Sequence, residues 1–377
     1  MSKTTQFIIL LVVMTLTFLT FSTECYANSS INLHVSAKSA IAIEWTTGKI
    51  LFEKNKDLRL PMASTTKIMT AILTIENCDL NKEIEIPPQA IGVPGSSIYL
   101  EKGERLKIIE LLYGLMLASG NDAAVALAIS ICGDVKKFVN LMNKKAKELG
   151  LQNTVFSSPH GLEEGRHYTT AYDLACLTAY AMRNQTFREI VSTTQKEIRW
   201  TTRPYNRILK NKNKMLKSYQ GAEGVKTGFT KRAGRCLVTS VYRDGFRVIC
   251  VVLNAPDMWN DTRKILDFAY QNYKFLKVDR GEMGYLKVKN SKENWVKLGI
   301  TEQKSFVLTK DQYPSLNVVI SNKISAPVKK YTKIGKIEIK YDHQTYSIPI
   351  VTLQECQRKT FWDNLKERFF RQRASQK

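Results

Sequence analysis

Between Ser39 and Glu76 the spacing of apolar residues changes from a strand pattern to a helical one. From Ser39 to Trp45 small and β-branched residues dominate, Thr46-Thr47-Gly48-Lys49 turns the chain, and Ile50 to Glu53 continues, which predicts a hairpin. From Ala63 to Glu76 the pattern is helical and almost wholly apolar after Lys67, with Ile68, Met69, Ala71, Ile72, Leu73 and Ile75. A helix apolar on nearly all sides belongs in the centre of a domain. Further helices are predicted over Ile108 to Leu117, Ala123 to Cys132, and Phe138 to Leu149, where Gly150 stops the last. Strands follow from Gly224 to Thr227, Arg235 to Tyr242 and Phe246 to Leu253, the last two joined by the turn Arg243-Asp244-Gly245. Thr262 to Tyr273 reads as a helix. These elements predict a layered α/β domain: an antiparallel sheet built from the N-terminal hairpin and the later strands, with an all-helical insertion between them.

Past about Lys277 the texture shortens. Trp295-Val296-Lys297-Leu298, Leu316-Asn317-Val318-Val319 and Lys336-Ile337-Glu338-Ile339 alternate with period two, which predicts a small β-rich second domain ending near Leu353. The tail changes character again. On a helix Phe361, Trp362, Leu365 and Phe369 fall within about 100° of one another, with Phe370 off that face. Arg358, Lys359, Lys366, Arg368, Arg371, Arg373 and Lys377 outnumber Asp363 and Glu367. Aromatics on one side and cations on the other predict a helix lying on an anionic membrane surface. At the other end, Lys3 and the nearly uncharged run Phe7 to Phe21 fall short of the roughly 20 residues of a spanning helix. Cys25-Tyr26-Ala27 closes the run with a cleavage pattern, so residues 1–27 are expected to be a signal peptide. The expected division is then 28–277, 278–355 and the tail 356–377, in a protein exported to the outer face of the membrane and the cell wall.

Charge and composition narrow the chemistry. The formal net charge is +23, which favours anionic polymers or lipid head groups; export excludes nucleic acid. The charge is densest from Lys196 to Lys217. Six cysteines beyond Ala27 (Cys78, Cys132, Cys176, Cys236, Cys250, Cys356) form no C-x-x-C and sit mostly in apolar settings, where they are expected to stay unpaired. His34, His160, His167 and His343 lack metal-ligand spacing, so neither a metal nor a cofactor is expected.

Three short motifs carry the candidate chemistry. In Ser64-Thr65-Thr66-Lys67 the lysine lies one helical turn after a serine at a helix N-terminus, where it can take the hydroxyl proton. To act as base Lys67 must be neutral, and burial lowers its pKa in that direction. Ser119-Gly120-Asn121 follows, then Lys226-Thr227-Gly228. Taken alone, Ser119-Gly120-Asn121 suits a helix-cap turn. In this order, however, the three match the pattern of serine acyltransferases of the penicillin-binding type.

The chain resembles the D-alanyl-D-alanine carboxypeptidases, low-molecular-mass penicillin-binding proteins of the serine peptidase class. Pro61-Met62-Ala63, Gly95-Ser96-Ser97 with Gly103-Glu104, Asn121-Asp122-Ala123-Ala124, Pro159-His160-Gly161-Leu162 with His167 to Asp173, and Ala326-Pro327-Val328-Lys329-Lys330 all share in the likeness. The resemblance implies a penicillin-binding, β-lactamase-like fold, a peptidoglycan pentapeptide as substrate and β-lactams as inhibitors. It implies Ser64 as nucleophile, Lys67 as base, Ser119 as proton relay and Asn121 as a substrate-binding amide. Lys226 and Thr227 would hold the terminal carboxylate, Gly228 would admit the substrate backbone, and the N–H groups of Ser64 and Phe229 would receive the oxyanion. Many relatives carry an arginine after the strand hairpin. Here that stretch reads Asp257-Met258-Trp259-Asn260-Asp261-Thr262-Arg263, similar to members from Gram-positive spore formers, and Arg263 is given no role. Two alternatives remain open: a penicillin-binding wall protein or sensor without turnover, and a class A-like β-lactamase. The latter needs a glutamate in an E-x-x-L-N segment, and none lies between Asn121 and Lys226.

Overall fold

The computed structural model describes residues 33–162, 165–321, 323–341 and 344–363. The expected signal segment 1–27, and Leu365 and Phe369 of the expected tail helix, lie outside these residues. The first elements among the described residues are β1 (Ser39–Glu44) and β2 (Ile50–Lys54), the expected hairpin. A tight 3-10 turn, Ala63–Thr66, leads into α1 (Lys67–Asn77). β3 (Glu83–Glu85) and β4 (Arg105–Lys107) come next. α2 (Ile108–Tyr113) widens into a π turn over Gly114–Ala118, followed by α3 (Asn121–Cys132) and α4 (Val135–Glu148). α5 (Ala171–Ala181), α6 (Gln185–Ser192), β5 (Gln195–Ile198), β6 (Arg207–Lys210) and the short α7 (Met215–Ser218) complete the insertion. The chain returns to the sheet with β7 (Ala222–Thr230), β8 (Gly234–Arg243) and β9 (Phe246–Leu253), and α8 (Met258–Asn272) follows.

Strand order in the main sheet is β2-β1-β9-β8-β7, antiparallel throughout. β1 and β9 are buried along their whole length, as strands covered on both faces must be. The insertion is not all-helical: β3 pairs with β4, and β5 with β6. Both hairpins are short and rich in charged residues, with one or two apolar positions per strand, too few for the sequence to show a strand pattern. They are joined by ion pairs instead: Arg199 of the β5–β6 hairpin binds Glu83 on β3 and Glu110 on α2. α1 runs through the centre, with every side chain from Lys67 to Thr74 buried.

β10 (Tyr273–Val278) pairs along its length with β13 (Lys304–Thr309), so strands of the β-rich part begin ahead of the expected division at 277/278. With β11 (Gly281–Lys289), β12 (Trp295–Ile300), β14 (Ser315–Ile320), β15 (Ile324–Ser325), β16 (Lys333–Tyr341) and β17 (Gln344–Thr352) it forms a β-rich region. The six-stranded sheet has the order β14-β16-β17-β12-β11-β15. Its core, including Val296, Leu298, Ile339, Ile348 and Ile350, is a cluster distinct from that of the first domain. No disulfide links the six described cysteines. Among the described residues no helix is long and apolar enough to cross a membrane.

Candidate active site

The three motifs meet where the edge strand β7 passes the N-terminal turn of α1. Ser64 sits half-buried in the 3-10 turn, and Lys67 on the first turn of α1 is fully buried. Lys67 Nζ lies 3.0 Å from Ser64 Oγ, 2.7 Å from Asn121 Oδ1 and 2.6 Å from the His160 carbonyl oxygen. No carboxylate is among these partners. Three acceptors would saturate an ammonium; a neutral amine fits the same geometry with its lone pair in use. Two N–H groups serve the two carbonyl oxygens, and the remaining lone pair faces the Ser64 hydroxyl, which can then donate to it. Burial, and after it the positive charges of Lys226 and Lys212, hold Lys67 well below the usual lysine range; the Asp122 carboxylate opposes them more weakly.

Ser119 follows the π turn in the left-handed conformation, φ +67°, a costly backbone for a residue with a Cβ. Its Oγ accepts a 3.0 Å hydrogen bond from Lys226 Nζ, which also reaches the Thr227 carbonyl at 2.9 Å. Lys226 is buried too, and desolvation, with Lys212 adding to it, pushes its pKa down to about 7. Two lysine–serine pairs thus face one cleft. The Asn121 amide turns inward: Oδ1 is taken by Lys67, and Nδ2 donates to the Pro94 carbonyl at 2.6 Å.

Thr227, Gly228 and Phe229 line a cleft of about 330 Å³ together with Ser64, Ser96, Ser119, Lys212, Arg235, Met258 and Trp259. A Cβ built on Gly228 would stand 3.0 Å from Ser64 N and 3.1 Å from Ala63 Cβ. Glycine lets β7 lie this close; a side chain here would push the serine turn and strand a few tenths of an ångström apart. Because β7 is an edge strand, its outer row of N–H and C=O groups is open to pair with an extended peptide.

Several site residues were given no role by the sequence. Lys212 Nζ donates to Ser96 Oγ at 3.0 Å and adds positive charge to the cleft. Buried Asp122 ties down the loop carrying Ser96, accepting from Ser97 Oγ at 2.5 Å and from the N–H groups of Ile98 and Leu100 at 3.0 and 3.2 Å. Gly161, at φ +93°, lies so near the serine turn that a Cβ would stand 1.9 Å from the Ala63 carbonyl oxygen. That closeness delivers the neighbouring His160 carbonyl to Lys67. Arg235, not Arg263, is the arginine in the cleft; Arg263 points to solvent from α8.

This sheet and helical insertion, with Lys-Thr-Gly on the edge strand beside the serine–lysine turn, define the penicillin-binding class of serine acyltransferases. The solved penicillin-binding protein 5 from Haemophilus influenzae superimposes with a TM-score of 0.68 at 27% identity, covering 86% of this chain and 98% of that one. Residues 26–257 match the D-alanyl-D-alanine carboxypeptidase family, and residues 270–358 match the C-terminal domain of penicillin-binding protein 5. The chain belongs to the D-alanyl-D-alanine carboxypeptidase family. D-alanyl-D-alanine carboxypeptidase DacF of Bacillus subtilis is 36% identical over 358 residues, 90% of this chain and 92% of the relative. A D-alanyl-D-alanine carboxypeptidase of Streptomyces is 36% identical over 255 residues, covering 63% of this chain and 88% of its own length.

Proposed function

We propose that the protein is a serine-type D-alanyl-D-alanine carboxypeptidase that removes the terminal D-alanine from peptidoglycan pentapeptides and so limits crosslinking. The observation that carries this reading is the buried Lys67 amine, held against Ser64 Oγ at 3.0 Å with no carboxylate partner. Ser64 Oγ attacks the carbonyl carbon of the penultimate D-alanine while its proton passes to Lys67 Nζ. The N–H groups of Ser64 and Phe229 receive the oxyanion. A proton delivered through Ser119, backed by Lys226, lets D-alanine leave as its free amine, and water then hydrolyses the ester on Ser64. Lys226 and Thr227 bind the terminal carboxylate, which makes the reaction an exopeptidase one. With Oδ1 committed to Lys67 and one Nδ2 hydrogen to the Pro94 carbonyl, Asn121 has one amide N–H left for the substrate.

β-Lactams present the same reacting amide in a ring. Benzylpenicillin should therefore leave one adduct, on the peptide containing Ser64, detected by mass spectrometry and absent in Ser64→Ala. The adduct should persist for minutes, because no E-x-x-L-N segment that could activate a deacylating water lies between Asn121 and Lys226; rapid turnover would instead indicate a β-lactamase. Release of D-alanine from a pentapeptide separates this enzyme from a wall protein that only binds penicillin.

The site of action is proposed to be the outer face of the cytoplasmic membrane, reached through the signal segment and held by the tail. Phe361 and Trp362 are 74% and 69% exposed, which suits an apolar face awaiting a bilayer. Deleting residues 360–377 should move the protein from membrane pellet to supernatant while leaving D-alanine release intact. Equal pelleting at low and high salt would show that the tail is not the anchor. A narrower reading, a sporulation enzyme of a Gram-positive spore former, is supported by the Asp257–Arg263 stretch and the likeness to the Bacillus subtilis relative. Equal abundance in growing and sporulating cells would count against it.

A further inference from the structure

The cationic stretch from Lys196 to Lys217 sorts into two kinds of charge once folded. Its arginines are paired: Arg199 with Glu83 and Glu110, Arg203 with Glu101, and Arg207 with the buried Glu104. Lys210, Lys214 and Lys217 have no salt bridge among the described residues, and all three line a cavity of about 530 Å³ that no carboxylate lines. Asn213 lies in the same wall and is only 3% exposed. Its Oδ1 accepts from the Met215 N–H at 3.0 Å, which fixes the orientation of the amide. Its Nδ2 is buried with no hydrogen-bond partner. A buried donor left unmade is costly, and like charges gathered round a hollow repel one another. An oxyanion in the cavity relieves that repulsion; Asn213 Nδ2, which has no accessible surface, is not open to it.

We propose that this cavity is a second anion site, separate from the Ser64 cleft, that takes a phosphodiester group. Three separate ammonium groups with no guanidinium fork suit a tetrahedral phosphate as point charges, whereas bidentate carboxylate recognition favours arginine. The volume is in the range of organic-ligand pockets and leaves room for the alcohol residues on either side of the phosphate. The segment Asn211–Lys214 is shared by the two sites: Lys212 lines the catalytic cleft, and Asn211, Asn213 and Lys214 line this cavity. A polymer held here lies beside the cleft, so it places the enzyme on an anionic matrix without filling the active site.

The test is binding of the mature protein to a glycerol-phosphate oligomer and, separately, to phosphatidylglycerol vesicles. The oligomer should bind saturably, weaken with salt, and bind at least ~tenfold more weakly to a Lys210→Ser/Lys214→Ser variant. A Lys144→Ser/Lys147→Ser control removes the same charge from exposed positions of α4 and should change binding little. In both lysine variants D-alanine release from a soluble pentapeptide should be unchanged. Loss with the oligomer assigns the site to a wall polymer; loss with vesicles alone assigns it to lipid head groups. Equal affinity in the two lysine variants, binding of neither probe, or displacement of the oligomer by a pentapeptide would overturn the proposal.

Discussion

Replacing Lys67 with methionine should slow acylation of Ser64 by a β-lactam by about a thousandfold or more. Methionine is close in length and removes only the amine, so the position of the serine turn is kept. The change leaves Asn121 Oδ1 and the His160 carbonyl without the donor they now share, at roughly 1–3 kcal/mol each. Relief of the buried amine's desolvation offsets part of that, so the variant should still fold, with a lowered melting temperature. Stopped-flow measurement with a fluorescent penicillin checks the rate; acylation within a factor of ten of the parent would remove Lys67 from the mechanism. The pH profile carries the sign. The base works as the neutral amine, so the rate falls as acid protonates it, and the acid limb should lie well below the usual lysine range. Lys212→Met withdraws a positive charge that depresses both Lys67 and Lys226. Their pKa values then rise, and the acid limb should move to higher pH.

Acidification from pH 6.5 to 4 should destabilise the protein by several kcal/mol, through two histidines that brace the serine turn. His167 Nδ1 accepts from the Ser157 N–H at 3.0 Å, so its proton resides on Nε2, which donates to Thr66 Oγ1 at 2.8 Å. Thr66 Oγ1 in turn donates to the Ala63 carbonyl at 2.8 Å. His160 Nδ1 accepts from the Leu162 N–H at 3.1 Å. In both rings the nitrogen that would take a second proton already faces a donor. Burial, together with the charge of Lys67, lowers each pKa from 6.5 to about 4. The folded value lies below the unfolded one, so the stabilisation is complete above pH 6.5 and is lost as pH falls through 4. At 1.36 kcal/mol per unit, each ring accounts for roughly 3 kcal/mol. Urea unfolding of the parent and of His167→Gln between pH 7.5 and 4 checks this. The variant should show about half the pH dependence; parallel stability curves would refute the assignment.

The sequence alone determined the parts of this protein that follow from local pattern. The buried strand Phe246–Leu253 is a continuous apolar run and forms over those residues. The apolar stretch after Lys67 becomes a central helix, and the alternating segments at Trp295–Leu298 and Lys336–Ile339 become strands of a separate core, whereas Leu316–Val319 lies on the exposed strand β14. The spacing in Ser64-Thr65-Thr66-Lys67 already puts amine and hydroxyl one helical turn apart, because both sit on a single element. What joins elements far apart in the chain was decided only by tertiary structure. The Lys67 amine is completed by Asn121, 54 residues on, and by the His160 carbonyl, 93 residues on. A backbone carbonyl leaves no mark in a sequence, and nothing local says that the Asn121 amide turns inward to Lys67 and Pro94. The charged hairpins β3–β4 and β5–β6 were illegible for a related reason. Their strands are held by glutamates and arginines roughly a hundred residues apart, as in Arg199 with Glu83. Pairing across that distance also decided which cations of the Lys196–Lys217 stretch are neutralised, leaving Lys212 to the cleft and Lys210, Lys214 and Lys217 to the cavity beside it. Charge is visible residue by residue, but its neutralisation depends on which carboxylate the fold brings within reach.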